Sequence, residues 1–320
     1  MRAVRFHKHG GPDVLQVDEI ERPPVGSHRV LVEVEAAGVN PVDTYYREGG
    51  YDVFELPYTP GVDVAGTVVE SGGHVSGFEP GDRVFGTGLG GDYHGAYAEY
   101  VSVPSSRLVA LPEDVDITEA GAAGVVAVTA WRALYDHAEL RPAEHCLVHG
   151  GSGGVGHAAV QLADAVGAEV IATAAPEYHD QVAALGADLV LDYGRSDLAE
   201  AIRDASDGGV DVVLDHRLDD YLQFDAAVAV TGAAVVGIGE NDPQVGFENV
   251  GAARSKDVSY HFMSMFNTPD LRDPLRGIVR LLAAGDLRIE VARTYDLAEA
   301  ASAHRNVLDE SVLGKHVITP

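Results

Sequence analysis

Residues 147–156 read Leu-Val-His-Gly-Gly-Ser-Gly-Gly-Val-Gly, an apolar strand that runs into a glycine turn opening directly onto a helix. Gly151, Gly153 and Gly156 match the spacing G-x-G-x-x-G. In that pattern the first glycine turns the chain, the second admits a phosphate and the third lets helix and strand pack closely. Ser152, Gly154 and Val155 complete the helix entry, whose unpaired N–H groups and roughly half a positive charge face an anion. Such a turn suits a pyrophosphate. Glycine-rich turns also merely join elements, so the flanking sequence has to decide.

After the turn, Val155, Ala159, Leu162 and Val166 recur at helical spacing and give the helix an apolar face. Ala168–Ala174 read as a second strand. Pro176 stands at a first helical position and Gly186 closes that helix. Residues 188–193 make a third strand, and Ser196 is placed to cap a helix running to Ser206. Val210–Leu214 form a fourth strand, 219–230 another helix, and 233–238 a fifth strand. Short Val/Ile/Leu/Ala runs alternating with helices imply a parallel sheet buried on both faces, in the doubly wound manner of a nucleotide-binding domain.

The choice of dinucleotide turns on the end of the second strand, where a carboxylate would accept hydrogen bonds from the ribose hydroxyls of NAD. Here that place reads Thr173-Ala174-Ala175, which leaves room for a 2′-phosphate and favours NADP. His179, Tyr193 and Arg195 are candidate phosphate contacts; each is equally well read as a solvent-facing residue.

The chain has 320 residues, enough for two domains. Its first 123 or so residues differ in kind. Short Val-rich strands such as Val30–Val34 and Val64–Val69 are punctuated by Pro23-Pro24, Gly49-Gly50, Gly72-Gly73 and Gly90-Gly91, the pattern of a compact β domain. Helices near Leu275–Ala284 and Leu297–Leu308 and a last strand at Lys315–Ile318 return to mixed structure. The single cysteine, Cys146, sits within the strand before the glycine turn and reads as a buried structural thiol, which excludes disulfides and multi-cysteine metal lobes. The N-terminus leads into a strand without the apolar core of a signal peptide, and no run approaches a membrane span. The expectation is a cytoplasmic protein with no membrane partner.

The net charge is −28, from 50 acidic and 22 basic residues, and only Lys8, Lys256 and Lys315 are lysines. The acids are dispersed, so they form a solvated surface that repels itself and repels nucleic acid. Salt shortens the screening length from about 10 Å at 0.1 M to about 3 Å at 1 M and relieves that repulsion. The composition resembles that of proteins from extremely halophilic microorganisms.

Several specific stretches carry a family resemblance. Gly38-Val39-Asn40-Pro41-Val42-Asp43-Thr44-Tyr45, the segment Leu56-Pro57-Tyr58-Thr59-Pro60-Gly61-Val62-Asp63-Val64-Ala65-Gly66, Gly81-Asp82-Arg83-Val84-Phe85 and the turn Val148–Gly156 resemble the zeta-crystallin type of quinone oxidoreductase. That group is a zinc-free branch of the medium-chain dehydrogenase/reductase superfamily. The resemblance covers nearly the whole chain, through Gly314-Lys315. It implies an α/β chain with a GroES-like β-rich catalytic domain over residues 1–123 and 265–320, and an inserted Rossmann domain with a doubly wound parallel sheet over residues 124–264. It further implies NADPH (NADP) as cofactor, a small-molecule quinone or related conjugated carbonyl as substrate, and a homodimer or homotetramer.

Zinc-dependent relatives place a Cys where this chain has Asn40 and a His-Glu pair where it has Val62-Asp63, so two ligands are missing together and a tetrahedral site cannot be rebuilt. Alcohol oxidation needs a Lewis acid at the alkoxide, whereas hydride added to a quinone leaves charge spread over ring and oxygens. By resemblance, Asn40 lies near the nicotinamide and Tyr45 and Tyr51 lie beside the substrate as donors, unless the tyrosines only pack a domain edge. The resemblance assigns cofactor contacts to Ser152, Gly153, Gly154 and Val155, to Ala175 and Tyr193 near the adenosine, and to Ile238-Gly239. Thr129 is assigned to the nicotinamide side or to a structural hydroxyl. Departures from the pattern are Asp215-His216-Arg217-Leu218-Asp219-Asp220 and Tyr260-His261-Phe262-Met263-Ser264-Met265-Phe266; the latter reads as an apolar substrate lining or a dimer-edge strand. Lys315 reads as a surface or strand-end charge. Two alternatives stand beside quinone reduction: reduction of an enone or enoyl-thioester double bond, and a non-catalytic nucleotide-binding protein.

Overall fold

The computed structural model describes residues 1–320 and divides into two compact units, Met1–Val128 with Pro269–Pro320, and Thr129–Thr268. In the second unit six strands pair in the order Leu189–Asp192, Glu169–Ala174, His145–Val148, Val210–Asp215, Ala229–Gly237 and Ser259–Phe262, all parallel. Numbered along the chain this is 3-2-1-4-5-6, the order of a doubly wound dinucleotide-binding sheet. Ser259–Phe262 is a sixth strand at the sheet edge. Leu147, Ile171, Leu191, Val213 and Val235 from five of the strands join Leu198, Ile202 and Val228 in one buried core. This explains the near-continuous apolar runs: both faces of the sheet are covered.

Two local expectations are corrected. Helix Leu198–Ala205 begins after Asp197, and no side chain caps it, so Ser196 is not the cap. Helix Gly154–Val166 is buried continuously from Gly156 to Ala163, because its neighbours close over more than the single apolar stripe that spacing suggests.

The first unit is built on a mixed sheet in the order Val291–Tyr295, Lys315–Ile318, Arg29–Val39, Val64–Ser71, Arg83–Gly86 and Leu108–Ala110, with Tyr100–Pro104 also pairing on Arg29–Val39. Lys315–Ile318 runs antiparallel to the far end of Arg29–Val39, His316 opposite Val39, so the last strand of the chain is an interior strand of the domain that the first strands began. Val30, Val32, Val64, Val84, Val101, Val103 and Ile318 lie in its core. The parallel sheet and the β-rich unit together give the expected α/β fold class. No helix is long and apolar enough to cross a membrane.

Candidate functional site

In the second unit the glycine turn sits at the carboxyl end of His145–Val148, where the strand order reverses, which is where doubly wound sheets bind ligands. The residue with a left-handed backbone is Gly150, φ 68°, and not Gly151, so the turning role moves one residue upstream. Gly151 instead lies close to the neighbouring strand: its N–H donates to Thr173 O at 2.7 Å, and a methyl there would stand 3.0 Å from Ala172 Cβ. A methyl on Gly156 collides with the Gly150 carbonyl, the close packing expected of a third glycine. Gly153 is different. Its φ is −72° and a methyl would meet nothing nearer than Gly150 O at 3.4 Å. Nothing inside the fold requires glycine at 153, which leaves approach from outside as its physical reason. Gly153 is the N-cap of helix Gly154–Val166, so the first-turn N–H groups of Gly154, Val155 and Gly156 lie where an anion is favoured. Ser152 is buried beside them. The turn and helix entry fit a dinucleotide pyrophosphate.

Around this turn, Ala175 is buried and precedes the short turn Pro176–Tyr178. His179 Nε2 lies 3.2 Å from Ala174 O, Tyr193 is exposed, and Arg195 is held by Asp197 through bonds of 2.7 and 2.8 Å. Ile238 N donates to Asp215 O at 2.8 Å and Leu218 N to Gly239 O at 3.1 Å, which pins the segment after the fifth strand against the Asp215–Asp220 departure. Thr129 is buried in helix Ile117–Trp131. Cys146 is buried, and burial pushes its thiol up to about 12.

In the first unit, helix Pro41–Glu48 starts with proline at its first position and ends at Gly49, φ 84°, the punctuation that fixed φ and a left-handed stop provide. Its third residue, Asp43, accepts from Asn40 N at 2.9 Å, from Val62 N at 3.0 Å and Gly61 N at 3.2 Å, and from Tyr97 Oη at 3.1 Å. Sequence reasoning passed over Asp43 as a functional residue; the spacing Asn40-x-x-Asp43 at a helix start is the signal that finds it. The Asn40 amide is engaged at both ends: Nδ2 donates to Asp63 Oδ2 at 2.8 Å, and Oδ1 accepts from Lys315 Nζ at 2.6 Å. Asp63 Oδ1 accepts from Thr87 Oγ1 at 2.6 Å and Val125 N at 2.8 Å.

Lys315 does begin a strand, but it is no surface charge: it is 4% exposed, and Nζ also donates to Val39 O. Burial brings its ammonium down to about 8, against the pull of Asp63 and Asp43. Burial likewise lifts the Asp43 carboxyl to about 7 and raises Asp63. Four donors to Asp43 and three to Asp63 work against that lift. Asn40 is 1% exposed, so its amide serves this buried cluster.

Tyr45 and Tyr51 are 39% and 50% exposed and meet edge to face, ring centroids 5.8 Å apart. Tyr46, next to Tyr45 in the helix, turns inward and packs on Tyr51, ring centroids 5.7 Å apart. The three rings form one aromatic patch.

The residues at the place of a catalytic zinc do not fit that ion. Zinc takes Cys, His or carboxylate donors; here Val62 supplies none, the Asn40 amide is occupied, and an ammonium stands 2.6 Å from that amide.

The Alcohol dehydrogenase GroES-like domain family matches residues 26–113, and the Zinc-binding dehydrogenase family matches residues 185–318. The quinone oxidoreductase of Rattus norvegicus is 35% identical over 330 residues, covering 99% of this chain and 97% of that protein. The 2-haloacrylate reductase of a Burkholderia species is 32% identical over 333 residues, covering 99% and 98%. The crystal structure of Escherichia coli quinone oxidoreductase complexed with NADPH superposes with a TM-score of 0.91 at 28% identity over the full length of both chains. With the doubly wound sheet, the glycine turn and this end-to-end likeness in place, the chain belongs to the zeta-crystallin-like quinone oxidoreductases of the medium-chain dehydrogenase/reductase superfamily, oxidoreductases that use a nicotinamide cofactor and a small-molecule substrate.

Proposed function

We propose that this chain is a metal-free, NADPH-dependent reductase of quinones or related conjugated carbonyls. The observation that carries the metal-free reading is the buried Lys315 ammonium bonded to Asn40. A fixed cation already holds the place, and a divalent ion beside it would meet like charge. Asn40 is then a positioning residue that ties Lys315 to Asp63.

When bound, the dinucleotide supplies the hydride. Gly153, with Gly154, Val155 and Gly156, takes the pyrophosphate on the helix N-terminus, and Gly151 and Ser152 hold the turn in place. Ala175 leaves room for a 2′-phosphate, and His179 and Tyr193 flank the adenosine side. Ile238, Gly239 and Thr129 are assigned to the nicotinamide half. Tyr45 and Tyr51 donate hydrogen bonds to the substrate oxygen that gains charge and polarise it.

The Burkholderia relative's name favours a second reading, addition of hydride to a carbon–carbon double bond conjugated to a carbonyl or carboxylate. The same donors serve it, since the charge again develops on oxygen. Initial rates with NADPH across 1,4-benzoquinone, 2-cyclohexenone, crotonyl thioester and 2-chloroacrylate separate the two. The highest kcat/KM is expected for the quinone; turnover of the alkenes alone overturns the quinone reading. For the cofactor, Ala175→Asp is expected to shift preference toward NADH by setting a charge against the 2′-phosphate. An NADH kcat/KM in the unmodified protein equal to that of NADPH contradicts the assigned preference.

A further inference from the structure

The Asp215–Asp220 departure begins at a buried cluster that reaches His149, the residue immediately before Gly150. Asp215, at the end of strand Val210–Asp215, and Asp225, in helix Leu218–Val228, are both fully buried. Their carboxyl groups act on each other, and Oδ2 of each is buried with no donor. As two carboxylates they would be facing acceptors of like charge in a dry site. A single proton makes one the donor and satisfies both.

The pair connects to the turn. Asp225 Oδ1 stands 3.0 Å from Nε2 of buried His149, whose ring lies flat on Tyr221, centroids 4.2 Å apart and planes 4° from parallel. His149 Nδ1 is 3.5 Å from Thr173 Oγ1, and that hydroxyl accepts from Gly150 N at 3.1 Å. Thr173 O takes the N–H of Gly151 at 2.7 Å. On the other side, Asp215 Oδ1 accepts from Arg217 N at 2.6 Å, while the Arg217 guanidinium is turned to Asp219 and Asp220. The remaining titratable groups facing the pair are the Tyr221 and Tyr260 hydroxyls and the His216 ring, which lies against Gly150.

We propose that Asp215 and Asp225 share a proton that positions the glycine turn through His149 and Thr173, so that dinucleotide binding and protonation of this pair are coupled. The proposal rests on the reading of that turn as the dinucleotide site. Burial lifts Asp215 to about 7 and Asp225 well above the ordinary carboxylate range, and it lowers His149 to about 4. Near neutrality the imidazole is therefore uncharged and the carboxyl pair carries the proton. A pyrophosphate at the helix entry adds negative charge near the pair and disfavours its ionisation. Binding should accordingly take up protons, and affinity should fall as pH rises through 7.

The test is calorimetric titration of the full-length protein with NADH, which has no 2′-phosphate to titrate, in two buffers of different ionisation heat. At pH 7 the unmodified protein should take up a few tenths of a proton per NADH, with Kd rising several-fold between pH 6.5 and 8.5. In Asp215→Asn and Asp225→Asn the uptake should vanish and the pH dependence flatten. Binding without proton uptake in the unmodified protein, or unchanged uptake in a folded variant, overturns the network while leaving the dinucleotide site intact. Absence of binding by both NADH and NADPH overturns the site itself and the proposal with it.

Discussion

Lys315 Nζ lies 2.6 Å from Asn40 Oδ1, and Asn40 Nδ2 in turn lies 2.8 Å from Asp63 Oδ2, so one neutral amide separates a buried ammonium from a buried carboxylate. Removing one partner from such an arrangement leaves charge without compensation, at a cost of about 3–5 kcal/mol. Lys315→Met should therefore lose stability of that order in chemical denaturation, and equal stability would show that the ammonium is dispensable. The pH dependence has a definite sign. The folded ammonium releases its proton near 8, below the ordinary lysine value near 10.4. Across that window the unfolded chain binds more protons, and stability rises with pH. The unmodified protein should gain on Lys315→Met from pH 8 to 10.

The glycines of the turn should separate folding from binding. Gly156→Ala drives a methyl into the Gly150 carbonyl and should destabilise the second unit measurably in a thermal melt. Gly153→Val meets no such obstacle and has an ordinary φ, so the chain should fold while NADPH binding is lost. Unchanged NADPH affinity in Gly153→Val would remove the assigned role of that residue.

What was legible in the chain was local. The glycine turn, the alternation of apolar runs with helices, and the limits of strand Lys315–Ile318 follow from spacing and punctuation over a few residues. The burial of Lys315 does not, because its partner Asn40 lies 275 positions away and the strand becomes interior only when both ends of the chain meet in one sheet. The same holds for Asp225, which reads as a polar helix position until His149, 76 residues earlier, is set against it. Assigning the turn to Gly151 failed for a subtler reason: the spacing selects Gly151, but the left-handed residue is its neighbour Gly150, and only the backbone angle shows that. Helix Pro41–Glu48, of eight residues, is too short for periodicity to announce.

Tyr45→Phe and Tyr51→Phe should each lower kcat/KM for a quinone about tenfold while NADPH affinity stays nearly constant. A lost donor to a developing oxyanion costs roughly 2.7–4 kcal/mol in a protected site, and less here because the ring spreads the charge and both side chains are open to solvent. Full quinone activity in the double variant would assign the pair to packing.

Salt should stabilise the protein. The charge of −28 repels itself over a screening length that falls from about 10 Å at 0.1 M to about 3 Å at 1 M. Two of the three lysines are turned inward: Lys315 is buried, and Lys256 Nζ donates to the carbonyls of Ala226, Ala227 and Ala229. Few ammonium groups remain to offset the acids outside. A Tm that rises by several degrees between 0.1 and 2 M NaCl is expected, and a Tm indifferent to salt would rule out adaptation to concentrated salt.

Hydride transfer without a metal is tested most directly by following NADPH oxidation by 1,4-benzoquinone with protein whose zinc content has been measured before and after treatment with a strong chelator. Zinc should be substoichiometric and kcat the same before and after treatment, because Lys315 and Asn40 fill the place where ligands would stand. One zinc per chain, with turnover lost to the chelator and restored by added zinc, would make the enzyme zinc-dependent.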